Sequence, residues 1–215
     1  MYRKFVKSFA DVFLALIASI VLLLPMLLIA FAIYVDDPGK VLFKQRRVGR
    51  KKNGNLTYFN LYKFRTMKLS TPKDVPTHML ENPEQYITPV GRFLRKTSLD
   101  ELVQIPMNIL TGQMSIIGPR PALWNQDDLI AERDKYGAND IKPGLTGWAQ
   151  INGRDELEID EKAKFDGEYV DRMSFIFDCK CFLGTIISVF RSDGVVEGGT
   201  GELKKQESLK EKSKQ

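Results

Sequence analysis

Histidine and cysteine are nearly absent from this 215-residue chain, which holds one His and two Cys. A metal cluster built on imidazoles is therefore excluded, and a His-dependent triad could run only through His78. Cys179 and Cys181 are one residue apart, too close for an ordinary disulfide framework, so a reducing cytosolic setting is the simplest inference. Any metal would be a hard cation on carboxylate and phosphate oxygens, which points to magnesium. The chain has no Gly-rich dinucleotide fingerprint, no P-loop and no repeat of fixed period.

Charge is also missing, in two places. The averages describe an ordinary soluble domain: 43% hydrophobic, 27% charged, net charge +5 and mean hydropathy −0.22. Yet residues 12–35 form 24 consecutive positions without a charge, and no acid stands between Asp37 and Asp74, an interval that holds eleven Lys or Arg. That interval contributes +11 and leaves the remainder at −6. Composition is segregated along the chain.

At about 1.5 Å per helical residue the uncharged run is long enough for a bilayer core of about 30 Å. It is too long for the apolar region of a cleaved signal peptide and ends without a small-residue cleavage site. Pro25 lies near its middle, where it removes a backbone donor and bends or breaks a helix. Lys and Arg flank both ends, at 3, 4 and 7 and again from 40 to 52. If these residues mark the cytoplasmic side, each end votes for it. A helix-break-helix that enters and leaves one leaflet satisfies both votes, and a straight span satisfies one; both predict a membrane anchor, with a buried core helix as the bland alternative.

Beyond the anchor, residues 41–43 read as a short strand, followed by a basic loop over 44–52 and an Asn53-Gly54 hairpin signal. Residues 56–67 read as a strand with Phe59, Leu61, Lys63 and Arg65 on one face, which would aim Lys63 and Arg65 at one site. The basic stretch fits a solvated face, a surface for anionic lipid, or a nucleic-acid surface; adjacency to the anchor favours lipid for 40–52 and leaves no nucleic-acid partner expected. The prolines at 72, 76, 83 and 89 mark 68–90 as a loop, a candidate lid.

Ser98-x-x-Glu101 has the form of a capping box that starts a helix with Leu102, Ile105 and Ile109 on its apolar side. Asp100 and Glu101 would then sit in a first helical turn beside Arg92, Arg95 and Lys96, where Asp100 should stay ionised and could ligate Mg²⁺ or attack phosphorus; a plain capping role is the bland alternative. In Gly118-Pro119-Arg120-Pro121 a short strand ends in a stiff turn that suits an Arg fork aimed at phosphate. In Lys142-Pro143-Gly144-Leu145-Thr146-Gly147-Trp148, Pro-Gly suggests a type II turn, and Gly147 and Gly153 would permit a ligand to approach the backbone. Trp148 would pack a base, a sugar ring or the core. Helices are expected over 160–172 and 175–190, the second with Phe182, Ile186, Val189 and Phe190 at helical spacing, either packed or lying in a membrane interface. The Lys/Glu/Ser tail reads as disordered.

Lys63-Phe64-Arg65-Thr66-Met67, the segment from Gly91 to Glu101, Gly118-Pro119-Arg120-Pro121 and the Lys142-to-Trp148 motif follow one another as in the bacterial sugar transferases. In that respect residues 1–193 resemble the monotopic phosphoglycosyl transferases, most closely the minimal members that initiate Campylobacter-type protein N-glycosylation. The resemblance implies an α+β fold: a mostly helical cytosolic domain with a small β-sheet or hairpin, anchored by a proline-broken re-entrant helix and interfacial amphipathic helices. Its expected parts are a membrane segment over 1–37, a catalytic domain over 38–193 and a flexible tail over 194–215, placed at the cytoplasmic face of the bacterial inner membrane.

The same resemblance implies a reaction: a sugar 1-phosphate moves from a UDP-sugar, such as UDP-diacetylbacillosamine, to undecaprenyl phosphate with release of UMP. Asp100 would be the nucleophile that carries the phosphosugar. Glu101 would bind Mg²⁺, with Asp100 as the other ligand, or assist proton transfer, and Lys63, Arg65, Arg95, Arg120 and Arg154 would bind substrate. Membrane lipids and downstream glycosyltransferases are the implied partners. Two positions depart from the family pattern, Leu24 before Pro25 and Val103 before Gln104. The rival readings are a membrane-anchored scaffold without catalysis and a one-step transferase without a covalent intermediate.

Overall fold

The computed structural model of the chain describes residues 2–71, 83–153 and 157–191. His78, Arg154 and the tail beyond 191 lie outside the described residues.

The apolar run folds into two helices, α1 (Lys7–Val21) and α2 (Leu23–Asp36), which meet at Leu22 with a bend of 61°. No single helix among the described residues is long and apolar enough to cross a membrane, but the bent pair together has the required length and composition. The break falls three residues before Pro25, which stands in the first turn of α2. A missing N–H costs nothing there, because no donor in the first turn has an intrahelical partner. The proline thus defines where α2 can start.

The basic segment is mostly strand rather than loop. β1 (Leu42–Val48) pairs antiparallel with β2 (Tyr58–Phe64), Leu42 opposite Phe64 and Val48 opposite Tyr58, so Lys44, Arg46 and Arg47 all lie in the ladder. At the far end Lys52 and Asn55 exchange two backbone hydrogen bonds of 2.9 and 3.0 Å. Between them Asn53 and Gly54 both take positive φ, 50° and 78°, the primed turn that the Asn-Gly signal predicts.

α3 (Pro89–Thr97) starts at Thr88, whose Oγ1 accepts from the Gly91 N–H at 2.9 Å, with Pro89 pre-set for the first turn. Gly91 is required because a Cβ there would overlap the Thr66 carbonyl; this contact sets α3 against the exit of β2. The predicted capping box does not form. Ser98 is the left-handed C-cap of α3 (φ 57°) and caps nothing with its side chain. Residues Leu99–Glu101 form a 3₁₀ turn and Ile105–Ile109 a π turn. Leu110 N–H bonds the Ile105 carbonyl, five residues back, at 3.0 Å.

β3 (Ser115–Ile117) pairs in parallel with β4 (Gly144–Thr146), and the crossover between them carries α4 (Asp127–Asp134). Gly144 is therefore in a strand, with no positive φ, rather than in a type II turn. Its missing side chain, like that of Gly147, makes room for the backbone of Gly118 rather than for a ligand. α5 (Trp148–Ile151), α6 (Ile159–Arg172) and α7 (Phe175–Arg191) follow, the last two within a residue of expectation. Trp148 packs tilted on Phe177, with ring centroids 4.9 Å apart, and donates from Nε1 to Glu168 at 2.8 Å. This is core packing, one of the roles weighed for it.

Ala15 of α1 is buried with Leu61, Ile109 and Met114, and Ile33 of α2 with Phe64, Leu94 and Val103. Both halves of the bent pair thus contribute to the core of the body. Their outer faces expose Phe9, Phe13, Ile20, Leu24, Leu28 and Phe31. α7 is apolar on two sides: Phe177 and Cys181 face inward, whereas Phe175, Ile176, Phe182, Leu183, Ile186 and Ile187 are exposed. Of the stripe read from spacing, Phe182 and Ile186 lie on the outer face, and the side chains of Val189 and Phe190 lie outside the described residues.

Candidate active site

Three segments converge on the Asp100-Glu101 pair. β2 delivers Lys63 near its end, the 3₁₀ turn after α3 delivers the two acids, and the Gly118-Pro119-Arg120-Pro121 turn after β3 delivers Arg120. Glu101 is gripped from both sides. Lys63 Nζ donates to Oε1 at 2.7 Å, and Arg120 forks onto the carboxylate with Nη2 to Oε1 at 2.6 Å and Nη1 to Oε2 at 3.3 Å. Asp100 is buried, at 7% exposure, with Lys63 Nζ 3.5 Å from Oδ2 as its ion-pair partner. Its carboxylate accepts no hydrogen bond among the described residues.

The left-handed Ser98 accounts for this difference between neighbours. Because the chain turns there instead of starting an α-helix, Glu101 points across to β2 and the β3 turn rather than back to the Ser98 N–H. Asp100 is left against the body.

The two carboxyls consequently titrate in opposite directions. Burial pushes Asp100 above the usual carboxylate range; Lys63 opposes this, the charge on Glu101 adds to it, and Arg120 and Arg95 oppose it less. The sequence reading weighed the cations beside Asp100 and not the burial that opposes its ionised form. Burial would also raise Glu101, but Arg120 and Lys63 together outweigh it and hold this acid well below its usual range. Paired carboxyls with divergent titration are a common arrangement for acid, base and nucleophile roles.

The other predicted binding residues distribute as follows. Arg95 Nε donates to Thr66 Oγ1 at 2.8 Å and contributes its charge at Asp100. Arg65 leaves the site: its guanidinium binds the Asp37 carboxylate at 2.6 Å and also the Asp37 carbonyl, so Lys63 and Arg65 do not converge. Asp37 also accepts from the Leu69 N–H at 2.9 Å, and Asp36 from the Val90 N–H at 3.1 Å. The acids that end α2 thus hold the exit of β2 and the start of α3. Sequence reasoning passed over them, although a signal existed: they are the last acids before a long basic interval. Arg154 lies outside the described residues.

Among the described residues no group of three or more His, Cys, Asp or Glu could hold a metal. The two adjacent carboxylates are a hard-oxygen donor set of the kind that holds Mg²⁺ together with substrate phosphates, not a closed protein cage. Accessibility increases toward Arg120, whose side chain is 35% exposed, against 21% for Lys63 and 15% for Glu101. An anion entering from that side meets a guanidinium first.

The model of one protein family, described as bacterial sugar transferase, matches residues 2–192. The chain belongs to the bacterial sugar transferase family. A UDP-glucose:undecaprenyl-phosphate glucose-1-phosphate transferase of Escherichia coli is 36% identical over 201 residues, covering 87% of this chain and 41% of that protein. The uncharacterized sugar transferase EpsL of Bacillus subtilis is 37% identical over 186 residues, covering 86% of each. The exopolysaccharide production protein ExoY of Sinorhizobium fredii is 34% identical over 202 residues, covering 87% of this chain and 86% of that one. This sugar transferase therefore spans less than half of some curated relatives and most of others.

Proposed function

We propose that this chain is a phosphoglycosyl transferase that moves a sugar 1-phosphate from a UDP-sugar to undecaprenyl phosphate and releases UMP. The observation that carries the reading is the buried Asp100 beside a Lys63–Glu101–Arg120 clamp, in a family whose relatives include undecaprenyl-phosphate glucose-1-phosphate and galactose phosphotransferases.

In the proposed reaction an Asp100 oxygen attacks the β-phosphorus of the donor, and the bond from that phosphorus to the bridging oxygen breaks. UMP leaves with the electron pair. A phosphate oxygen of the lipid then attacks the same phosphorus, and the acyl phosphate opens to return the Asp100 carboxylate and the lipid diphosphate sugar. Lys63 and Arg120 offset the charge of two approaching phosphates, and Arg95 adds its charge at Asp100. Arriving phosphates compete with Glu101 for its cations. Glu101 and the second oxygen of Asp100 are the protein oxygens that would hold Mg²⁺, which would supply charge neutralisation on the diphosphate.

The exposed faces of the bent helix pair and of α7 support a seat in one leaflet at the cytoplasmic face of the bacterial inner membrane. The acceptor phosphate would lie at the same level. The sugar could be diacetylbacillosamine, in a Campylobacter-type glycan pathway that hands the product to downstream glycosyltransferases. A screen of UDP-sugars with undecaprenyl phosphate and Mg²⁺ tests the function: UMP release with at least one donor is expected. A purified, vesicle-bound protein that releases none with any donor would leave the scaffold reading standing.

A further inference from the structure

The helix pair carries a buried acid that the proposed chemistry does not use. Asp11, in the second turn of α1, is 5% exposed, and both of its oxygens are engaged on β3: Ser115 Oγ donates to Oδ2 at 2.6 Å and the Ile116 N–H to Oδ1 at 3.1 Å. Downstream of that grip the chain is stiff. The Gly118 N–H donates to the Thr146 carbonyl and the Gly144 N–H to the Pro119 carbonyl, each at 2.8 Å, and prolines flank Arg120 on both sides. A displacement of β3 along its axis would therefore carry through to the guanidinium on Glu101.

One turn further along α1, Ala15 packs against Leu61, two residues before Lys63, and against Ile109, in the turn that follows the two acids. The segments that deliver Lys63, the acids and Arg120 thus meet on one face of α1. An apolar side chain at position 11 could dock the helix equally well. It could not fix the register of a strand, because apolar contact has no direction.

We infer that Asp11 is a positioning residue for the Arg120–Glu101 clamp, setting the register of β3 from which Arg120 reaches the site. The inference rests on the reading that this clamp serves phosphoryl transfer. The test is a cycle of UMP-release rates for Asp11→Ala, Asp11→Asn, Arg120→Lys and the double variant Asp11→Ala/Arg120→Lys, each in the full chain on undecaprenyl-phosphate vesicles.

Asp11→Ala should lower kcat by about tenfold to a hundredfold, the scale on which small misplacements act. Asp11→Asn should restore most of that loss, because its carbonyl can accept from Ile116 and its amide can donate to Ser115 Oγ. In the Arg120→Lys background the fork is already lost, so Asp11→Ala should cost little more. Losses that multiply, or full activity in Asp11→Ala, would overturn the inference. Should Asp11→Ala fail to fold, Ser115→Ala carries the same cycle. Wild-type activity in Arg120→Lys and Arg120→Ala would instead overturn the role of the clamp, while UMP release by those variants would leave the transferase reading intact.

Discussion

Asp100 and Glu101 are adjacent in sequence and opposite in electrostatics, and the difference is testable at single residues. Because burial raises Asp100 in the folded protein, the native state holds, between the ordinary Asp value and the raised one, a proton that the unfolded chain has lost. This contribution to stability decreases as pH rises from the ordinary Asp value through the raised one. Asp100→Asn removes that cost, so its thermal midpoint near neutral pH should match or exceed the wild type. A marked fall would contradict the account. Activity should have the reverse dependence, since the proposed attack needs the carboxylate. The acid limb of kcat/KM against pH should lie above the ordinary Asp value.

Glu101 behaves oppositely. Its depressed value means that its ion pairs stabilise the fold fully above the unfolded value and lose that contribution as pH falls toward the depressed one. Glu101→Gln should lower the thermal midpoint most near neutral pH, with the difference from the wild type narrowing as pH falls, and leave Lys63 and Arg120 poorly compensated.

At the scale of elements, the geometry of the site depends on where α3 sits. Gly91→Ala would drive a methyl into the Thr66 carbonyl and displace both α3 and the Arg95–Thr66 contact. Activity should fall more than stability, measured by UMP release beside a thermal melt. Leu94, 1% exposed in the cluster with Ile33 and Phe64, gives the opposite balance: Leu94→Ala should cost about 2–5 kcal/mol in denaturant titration.

Elements with strong local signals were legible in the sequence. Asn53-Gly54 closes a primed turn, and α6 and α7 fall where periodicity put them. The misreadings have a common cause. The Ser98-x-x-Glu101 pattern failed because Ser98 had already been taken as the left-handed end of α3, and Pro143-Gly144 failed because the pairing of β4 with β3 outweighed local turn chemistry. Arg65 shares strand parity with Lys63, but parity cannot reveal that the acids ending α2 fold back to meet it. The site was legible as a set of residue types, and its partners were fixed by tertiary packing.

At the scale of the molecule, the bent pair is both docked and exposed: Ala15 and Ile33 face the body while the outer apolar surface has no partner among the described residues. A re-entrant seat predicts that both ends of the pair lie on one side of the membrane. In cells carrying Arg3→Cys with Cys179→Ser, an impermeant thiol reagent added from the periplasm should leave residue 3 unlabelled until the membrane is opened. Labelling in intact cells would favour a straight span.

The central claim is that Asp100 carries the sugar phosphate. Its most direct test is intact-mass and peptide mass spectrometry of the protein incubated with an accepted UDP-sugar and no lipid acceptor, then quenched in denaturant. The account predicts one added sugar phosphate on the peptide containing Asp100, lost on addition of undecaprenyl phosphate and absent in Asp100→Asn. Turnover by the wild type with no adduct under any quench, or turnover by Asp100→Asn, would contradict it.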